Sequence, residues 1–204
     1  NIMPAPRKSC HTVEFPLTVT ESDRHCLERR FAAANTLDNG ILQSALRALD
    51  ACRSDPAWEA ARKLKGKERT EAFKTVRHTH GLTLSALART MRAMRTGCWI
   101  EDHLESRLGD VLVAKVLRSI DRHLFEGAGR PRFREQENLR SVSANKHSPI
   151  RLLGNPVDGL TIHWGGLALP IRREEFSPSE LHSLGCKRLY CRIVRHPSGR
   201  ARPA

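Results

Sequence analysis

The sequence predicts an α+β protein: a small β-barrel split by a block of helices inserted after its first strand. Three observations predict it. Residues 11–19 read as a strand, and residues 20–125 carry helical periodicity. Beyond Gly127-Ala128-Gly129 the chain breaks into short β-like runs separated by Gly, Pro and Asn. The 204 residues suffice for one medium domain or two small ones with a buried core.

The first strand, His11 to Val19, is rich in β-branched residues. Pro16 cannot donate to a ladder, so an edge or a bulge is expected there. Thr20-x-x-Asp23 fits a capping box with Asp in place of Glu. The helix behind it carries Leu27, Phe31 and Ala34 on one stripe. Ile41, Ala45 and Leu49 continue that face beyond Asn39-Gly40, a pair expected to kink or break the helix. Ser54-Asp55-Pro56 marks a second start. Ala57 to His78 is a polar stretch, read as a solvated helix or charged hairpin, with Trp58, Leu64, Phe73 and Val76 inside. Gly81 ends it.

Thr83 to Arg95 reads as a short helix burying Leu84, Leu87, Ala88, Met91 and Met94. Arg89, Arg92 and Arg95 drift across its other face. Gly97 stops it. Ile100 to Phe125 is the strongest helical stretch, with Leu108, Leu112, Val116, Ile120 and Leu124 recurring every four residues. The strand candidates that follow are Leu139–Val142, Ile150–Leu153, Leu160–Trp164, Leu167–Ile171 and Arg188–Val194. Gly165-Gly166 reads as a two-residue hairpin turn. Ser177 to Glu180 reads as the start of one helical turn.

Lys and Arg outnumber Asp and Glu by 35 to 22, a net +13. The excess is uneven. Residues 1–129 hold 21 basic and 16 acidic groups, net +5, while 130–204 hold 14 and 6, net +8. Such a surface attracts polyanions through phosphate neutralisation and counterion release; the alternative is a merely solvated basic surface. No run of about 18 apolar residues exists, which excludes a spanning helix, and no secretory h-region is visible. The chain opens on Asn1 and closes on Arg200-Ala201-Arg202-Pro203-Ala204, so both ends read as cut from a longer protein. The six cysteines (Cys10, Cys26, Cys52, Cys98, Cys186, Cys191) contain no C-x2-C pair and read as free thiols. His78-x-His80 and Cys186-x4-Cys191 have no second half at zinc-site spacing, so no metal is expected.

Catalytic signatures are missing from the sequence: no phosphate-binding Gly-rich loop and no nucleophile elbow. The basic C-terminal part holds Glu135, Glu137, Asp158, Glu174, Glu175 and Glu180, with no strand-end set suited to a metal-dependent nuclease. Asp102, His103 and Glu105 sit where acids favour a helix N-terminus, so capping is the preferred reading. Gly129-Arg130-Pro131-Arg132-Phe133-Arg134 is more informative. Period two would project Arg130, Arg132 and Arg134 to one side, about 6.7 Å apart at a rise of about 3.3 Å per residue, near the phosphate repeat of an extended backbone. A basic linker is the equal alternative. A second cluster runs from Lys187 to Arg195. Arg188, Tyr190 and Arg192 share one strand face and Leu189, Cys191 and Ile193 the other, with Tyr190 free to stack on a base. An ordinary amphipathic strand explains it as well. Lys146 and Arg151 complete the basic candidates. Arg89, Arg92 and Arg95 form a third set, whose helix superficially suggests a recognition helix; solvated arginines are the default there.

Taken in order, several short motifs point to a family. They are Trp99-Ile100-x-x-His103-Leu104, Gly129 to Arg134, Leu139 to Ser143, Trp164-Gly-Gly-Leu-Ala-Leu-Pro170, and Cys186 to Gly199-Arg200 with its Arg192-Ile-Val-Arg195 core. Their order and spacing resemble the N-terminal half of TnpB transposon nucleases and type V CRISPR-Cas effectors, the small type V-U effectors above all. The resemblance implies a split wedge domain of oligonucleotide-binding type, residues 1–19 and 128–204, with a helical recognition lobe at 20–127. It implies guide RNA and target double-stranded DNA as partners, self-association as an option and no membrane. It places the protein in the bacterial cytoplasm, on the nucleoid when bound to DNA. It implies no cofactor here: the family's Mg2+-dependent RuvC carboxylates and zinc ribbon follow the matched stretch, so this part is expected not to cut DNA. A stand-alone sequence-specific repressor using the Thr83–Arg95 helix is the alternative, and a module that binds an acidic protein a third.

Overall fold

Thr20 opens the longest element. In the computed structural model, which describes residues 12–135, 139–145, 149–172, 175–186 and 190–196, its hydroxyl accepts from Asp23 N while Asp23 caps Thr20 in return. Helix α1 (Glu21–Ser54) then runs unbroken through Asn39-Gly40, so the pair does not break the helix. Gly40 is a notch. A Cβ there would sit 3.0 Å from the Met94 sulfur. Asn39 is a docking residue, as described below.

Asp55 closes α1 and caps α2 (Pro56–Lys63), accepting from Ala57 N at 2.8 Å. With α3 (Gly66–Thr79) it forms the charged hairpin. Trp58, Phe73 and Val76 are buried as expected, whereas Leu64 is exposed because it terminates α2 in an extended conformation. Helix α4 (Leu84–Arg95), capped by Thr83, buries Leu87, Ala88 and Met91; Leu84 is exposed in its first turn, against expectation. The expected helix from Ile100 to Phe125 is two helices, α5 (Ile100–His103) and α6 (Ser106–Phe125). Leu104 is extended at the break and buried, and Glu105 is freed to reach Trp164 Nε1 at 3.2 Å.

Helix α4 packs on both α1 and α6. Gly109 of α6 makes room for it, since a Cβ there would overlap the sulfur and side-chain carbons of fully buried Met91. The two glycines therefore differ. Gly109→Ala is expected to cost about 1–3 kcal/mol by overpacking. Gly40→Ala meets only the flexible end of Met94 and gains up to about 1 kcal/mol of helix propensity, so its melting temperature should hold or rise. Thermal unfolding followed by circular dichroism separates them; equal shifts would refute the notch assignment.

The strand region is mixed with helix and antiparallel throughout. β1 (Ser141–Asn145) pairs with β5 (Tyr190–Val194), Val142 opposite Ile193. β2 (Ile150–Asn155), β3 (Gly159–Trp164) and β4 (Leu167–Pro170) form a meander. Gly165 and Gly166, at φ +43° and +81°, make the primed turn between β3 and β4, whose positive φ values favour glycine. Helix α7 (Pro178–Gly185) carries a capping box from Ser177 and Glu180. The first predicted strand shrinks to one bridge, Leu17 to Ile171. Pro16 and Pro170 lack N–H groups, so each only accepts, Pro16 O from Arg172 N and Pro170 O from Thr18 N, both at 2.8 Å. Among the described residues the ladders leave a two-stranded and a three-stranded sheet, not a closed barrel.

One apolar core runs through both halves. Phe31, Leu37, Ile41, Val113 and Val116 of the helices join Val142, Ile162, Trp164, Leu169 and Ile193 of the strands. Trp164, 0% exposed, is the joint. It meets Phe31 edge to face at 6.5 Å, and the Arg30 guanidinium lies 4.9 Å from its ring centroid. Arg30 also donates to the carbonyls of Trp164 and Gly165. Burial pushes this guanidinium below its usual pKa, and the Glu105 carboxylate works against that shift. No helix among the described residues is long and apolar enough to cross a membrane.

Candidate nucleic-acid interface

The segment after α6 is not a free tether. Its backbone is bonded to α1: Asn39 Nδ2 donates to Arg134 O at 2.7 Å and Asn39 Oδ1 accepts from Arg134 N at 3.0 Å. Asn35 Nδ2 donates to Glu135 O at 3.3 Å. Upstream, Arg53 donates to His123 Nε2, so the proton sits on Nδ1, which donates to Ala128 O at 2.9 Å.

This docking changes the row of three arginines. Arg130 pairs with Asp50 at 2.8 Å and Arg134 with Asp38 at 2.9 Å, so α1 partly neutralises both. Arg132 is exposed and has no ion pair among the described residues. It lines a cleft of about 260 Å³ between α1, α6 and the docked segment, together with Asp38, Lys115, Arg122 and Arg134. Four cations there face one acid. Arg122 is also paired with Glu126 on the surface, at 3.5 Å. Asp38 is buried, and its Oδ1 has no hydrogen-bond partner among the described residues. Lys115 Nζ stands 3.9 Å from Asp38. Burial pushes the Lys115 ammonium below its usual pKa; Asp38 opposes the shift, and Arg134 and Arg192 reinforce it. Arg192 of β5 therefore belongs to the same positive field.

Around this cleft the second predicted cluster is partly in place. Tyr190 is 48% exposed, with the Arg192 guanidinium 5.8 Å from its ring centroid. Its hydroxyl is 2.9 Å from Thr12 Oγ1. Arg192 Nε donates to Ser143 Oγ at 3.1 Å. Exposed Tyr190 and Arg192 alternate with buried Ile193, as the two-faced strand predicts. Arg195 turns toward the helices, its guanidinium 5.8 Å from the Phe31 ring. Arg151 lies exposed on β2, opposite His163. Lys146, Lys187 and Arg188 lie outside the described residues.

The third set is different. Arg92 pairs with Asp110 at 3.1 Å. Arg95 pairs with Glu101 at 3.2 Å and also donates to Leu104 O. Only Arg89 of the three is exposed without an ion pair among the described residues. The predicted basic face of α4 is thus largely spent on fastening α4 to α5 and α6.

Lys115 and Arg122 escaped the sequence reading. Both sit in a helix whose apolar stripe explains its periodicity, and no local pattern distinguishes a cleft lysine from a solvated one. Of the groups weighed for metal binding or catalysis, His80 Nε2 meets Asp55 Oδ2 at 2.7 Å, and Glu105 stands at the N-cap of α6, its carboxylate accepting from Trp164 Nε1 instead of from the helix's first turn. Among the described residues no three His, Cys, Asp or Glu side chains are grouped to hold a metal ion. Among the described residues Cys26, Cys52, Cys98, Cys186 and Cys191 form no disulfide. No protein-family model, no curated protein and no solved structure matches this chain.

Proposed function

We propose that this chain is the guide-RNA- and target-DNA-gripping portion of an RNA-guided effector of the TnpB and type V CRISPR-Cas kind. The observation that carries the reading is the cleft in which Lys115, Arg122, Arg132 and Arg134 face the single carboxylate of Asp38, with Arg192 adding its charge. The motif order in the sequence and the step to net +8 beyond residue 129 agree with it. Backbone phosphates are the natural occupants of such a site.

In this reading residues 1–19 and 128–204 are the two parts of an oligonucleotide-binding-type wedge, and 20–127 the recognition lobe. The contacts of residues 12–18 with β4, Tyr190 and His196 support a split domain, since they bring the N-terminal segment back to the late strands. The wedge would grip the guide RNA scaffold and read the short motif beside the target, while base pairing supplies most sequence specificity. Cutting belongs, in proteins of this kind, to a RuvC unit separate from these two parts.

The test is binding of the chain to guide RNA and to duplex DNA at two salt concentrations. Nanomolar RNA affinity that falls steeply with salt is expected. Absence of RNA affinity, or affinity indifferent to salt, would refute the reading. Tight binding to one duplex sequence without RNA would favour a repressor instead.

A further inference from the structure

A second cleft lies on the helical side, away from the Asp38 cluster. It is the larger of the two, about 430 Å³, and sits between the α2–α3 hairpin and the C-terminal ends of α1 and α6. That volume falls within the range of about 300–1,000 Å³ typical of small-molecule sites. Its floor is aromatic. Trp58 and Phe73 meet at 4.6 Å, and Phe73 meets Phe125 edge to face at 6.1 Å. Trp58 and Phe73 are buried, but Phe125 is 54% exposed, so the cluster ends in an uncovered ring.

Its rim is cationic. Arg53, Arg62 and Arg69 line it against one carboxylate, Glu59, which is already bound to Arg62 at 3.0 Å. The Arg69 guanidinium stands 5.6 Å from the Phe73 ring centroid and has no ion pair among the described residues. An uncovered ring alone would fit any apolar partner. A ring beside unneutralised arginines fits a flat π-face that carries negative charge.

We propose that this cleft takes one nucleobase and its phosphate from single-stranded RNA. The base would stack on Phe125, and Arg69 and Arg53 would meet the phosphate. A duplex is excluded by geometry, because its bases are already stacked and paired. The inference rests on the nucleic-acid reading above and locates a second contact for the same strand, on residues that reading does not use.

The experiment uses the intact chain and two probes: a short single-stranded oligoadenylate with a central 2-aminopurine, and inorganic polyphosphate. Stacking quenches 2-aminopurine emission, and anisotropy or competition gives both affinities. Phe125→Ala, at an exposed helix end, is expected to relieve the quenching and weaken oligoadenylate binding about tenfold, with polyphosphate binding unchanged. Phe125→Trp should retain both quenching and affinity. Arg69→Ala should weaken both probes. Unchanged oligoadenylate affinity in Phe125→Ala, an equal loss for polyphosphate, or no quenching by the parent chain would overturn the proposal. Substitution of Lys115, Arg132 and Arg134 separates the two sites. Loss there with Phe125→Ala silent sinks this cleft and keeps the Asp38 interface, and the reverse pattern does the opposite.

Discussion

Trp164→Ala should destabilise the fold by about 3–5 kcal/mol, the range for removing a large aromatic from a core. A domain holds only about 5–15 kcal/mol in total, so much of the stability would go. The reason is where Trp164 stands. It is fully buried, packs on Phe31 of α1, accepts the Arg30 cation on its face and donates to Glu105. Its loss opens a cavity where helices meet strands and strips packing from a half-buried guanidinium. Trp164→Phe keeps a ring and loses the Nε1 donor, so a smaller loss is expected. Urea denaturation followed by far-ultraviolet circular dichroism measures both. A loss below about 1 kcal/mol for the alanine variant would be typical of a peripheral site and would disprove the joint.

Replacing Lys115, Arg132 and Arg134 together by alanine should cut polynucleotide affinity sharply and flatten its salt dependence. Each phosphate contact contributes about 0.7–0.9 to the slope of log affinity against log salt, so three contacts remove about 2–3. Adding Arg130→Ala should do little more, because Arg130 lies outside the cleft lining and pairs with Asp50. An unchanged slope in the triple variant would show that phosphates do not enter this cleft.

Lys115 also predicts a pH dependence. Although the side chain is 44% exposed, partial desolvation, reinforced by the charges of Arg134 and Arg192, holds its pKa below the usual value. The ammonium therefore loses its charge, and its pull on phosphate, at a lower pH than an ordinary lysine with pKa near about 10.4. A bound phosphate favours the charged form, so binding takes up protons as pH rises through the lowered pKa. The unliganded fold gains stability between the lowered and the ordinary value, because the unfolded chain keeps the proton longer there. Polyphosphate affinity of the parent chain should fall in that window. Lys115→Arg should hold its affinity, since arginine stays charged. Parallel profiles for the two would remove Lys115 from the site.

Local chemistry explains which elements were legible. The Thr20 capping box, the Asp55-Pro56 start, the Gly165-Gly166 turn and the Ser177 cap each act within a few residues, and each stands where the sequence predicts it. The errors have a common cause. Asn39-Gly40 reads as a breaker, but Met94 fills the space at Gly40 and Asn39 binds the backbone of Arg134. The break at Leu104 likewise goes with a distant contact: Glu105, next to it, accepts from Trp164 Nε1, 59 residues further along the chain.

The interface divides the same way. Arginine spacing placed Arg130, Arg132 and Arg134 on one candidate segment, and strand parity separated Arg192 from Ile193. Neither pattern contains the partner carboxylates. Asp38 and Asp50 lie far back in α1, and Lys115 enters the cleft from α6.

By itself, then, the sequence determined the class of the protein: helices set between an early extended segment and late antiparallel strands, with positive charge concentrated after residue 129. Periodicity, caps and turns are nearest-neighbour physics, and charge is additive, so both survive without a fold. Only the tertiary structure decided which charges remain available. Ion pairing depends on distances of a few ångströms between residues on different elements, from Arg92 and Asp110, 18 positions apart, to Arg134 and Asp38, 96 apart. It left Arg132 and Lys115 facing a cleft and spent Arg92, Arg95 and Arg130 on holding the chain together.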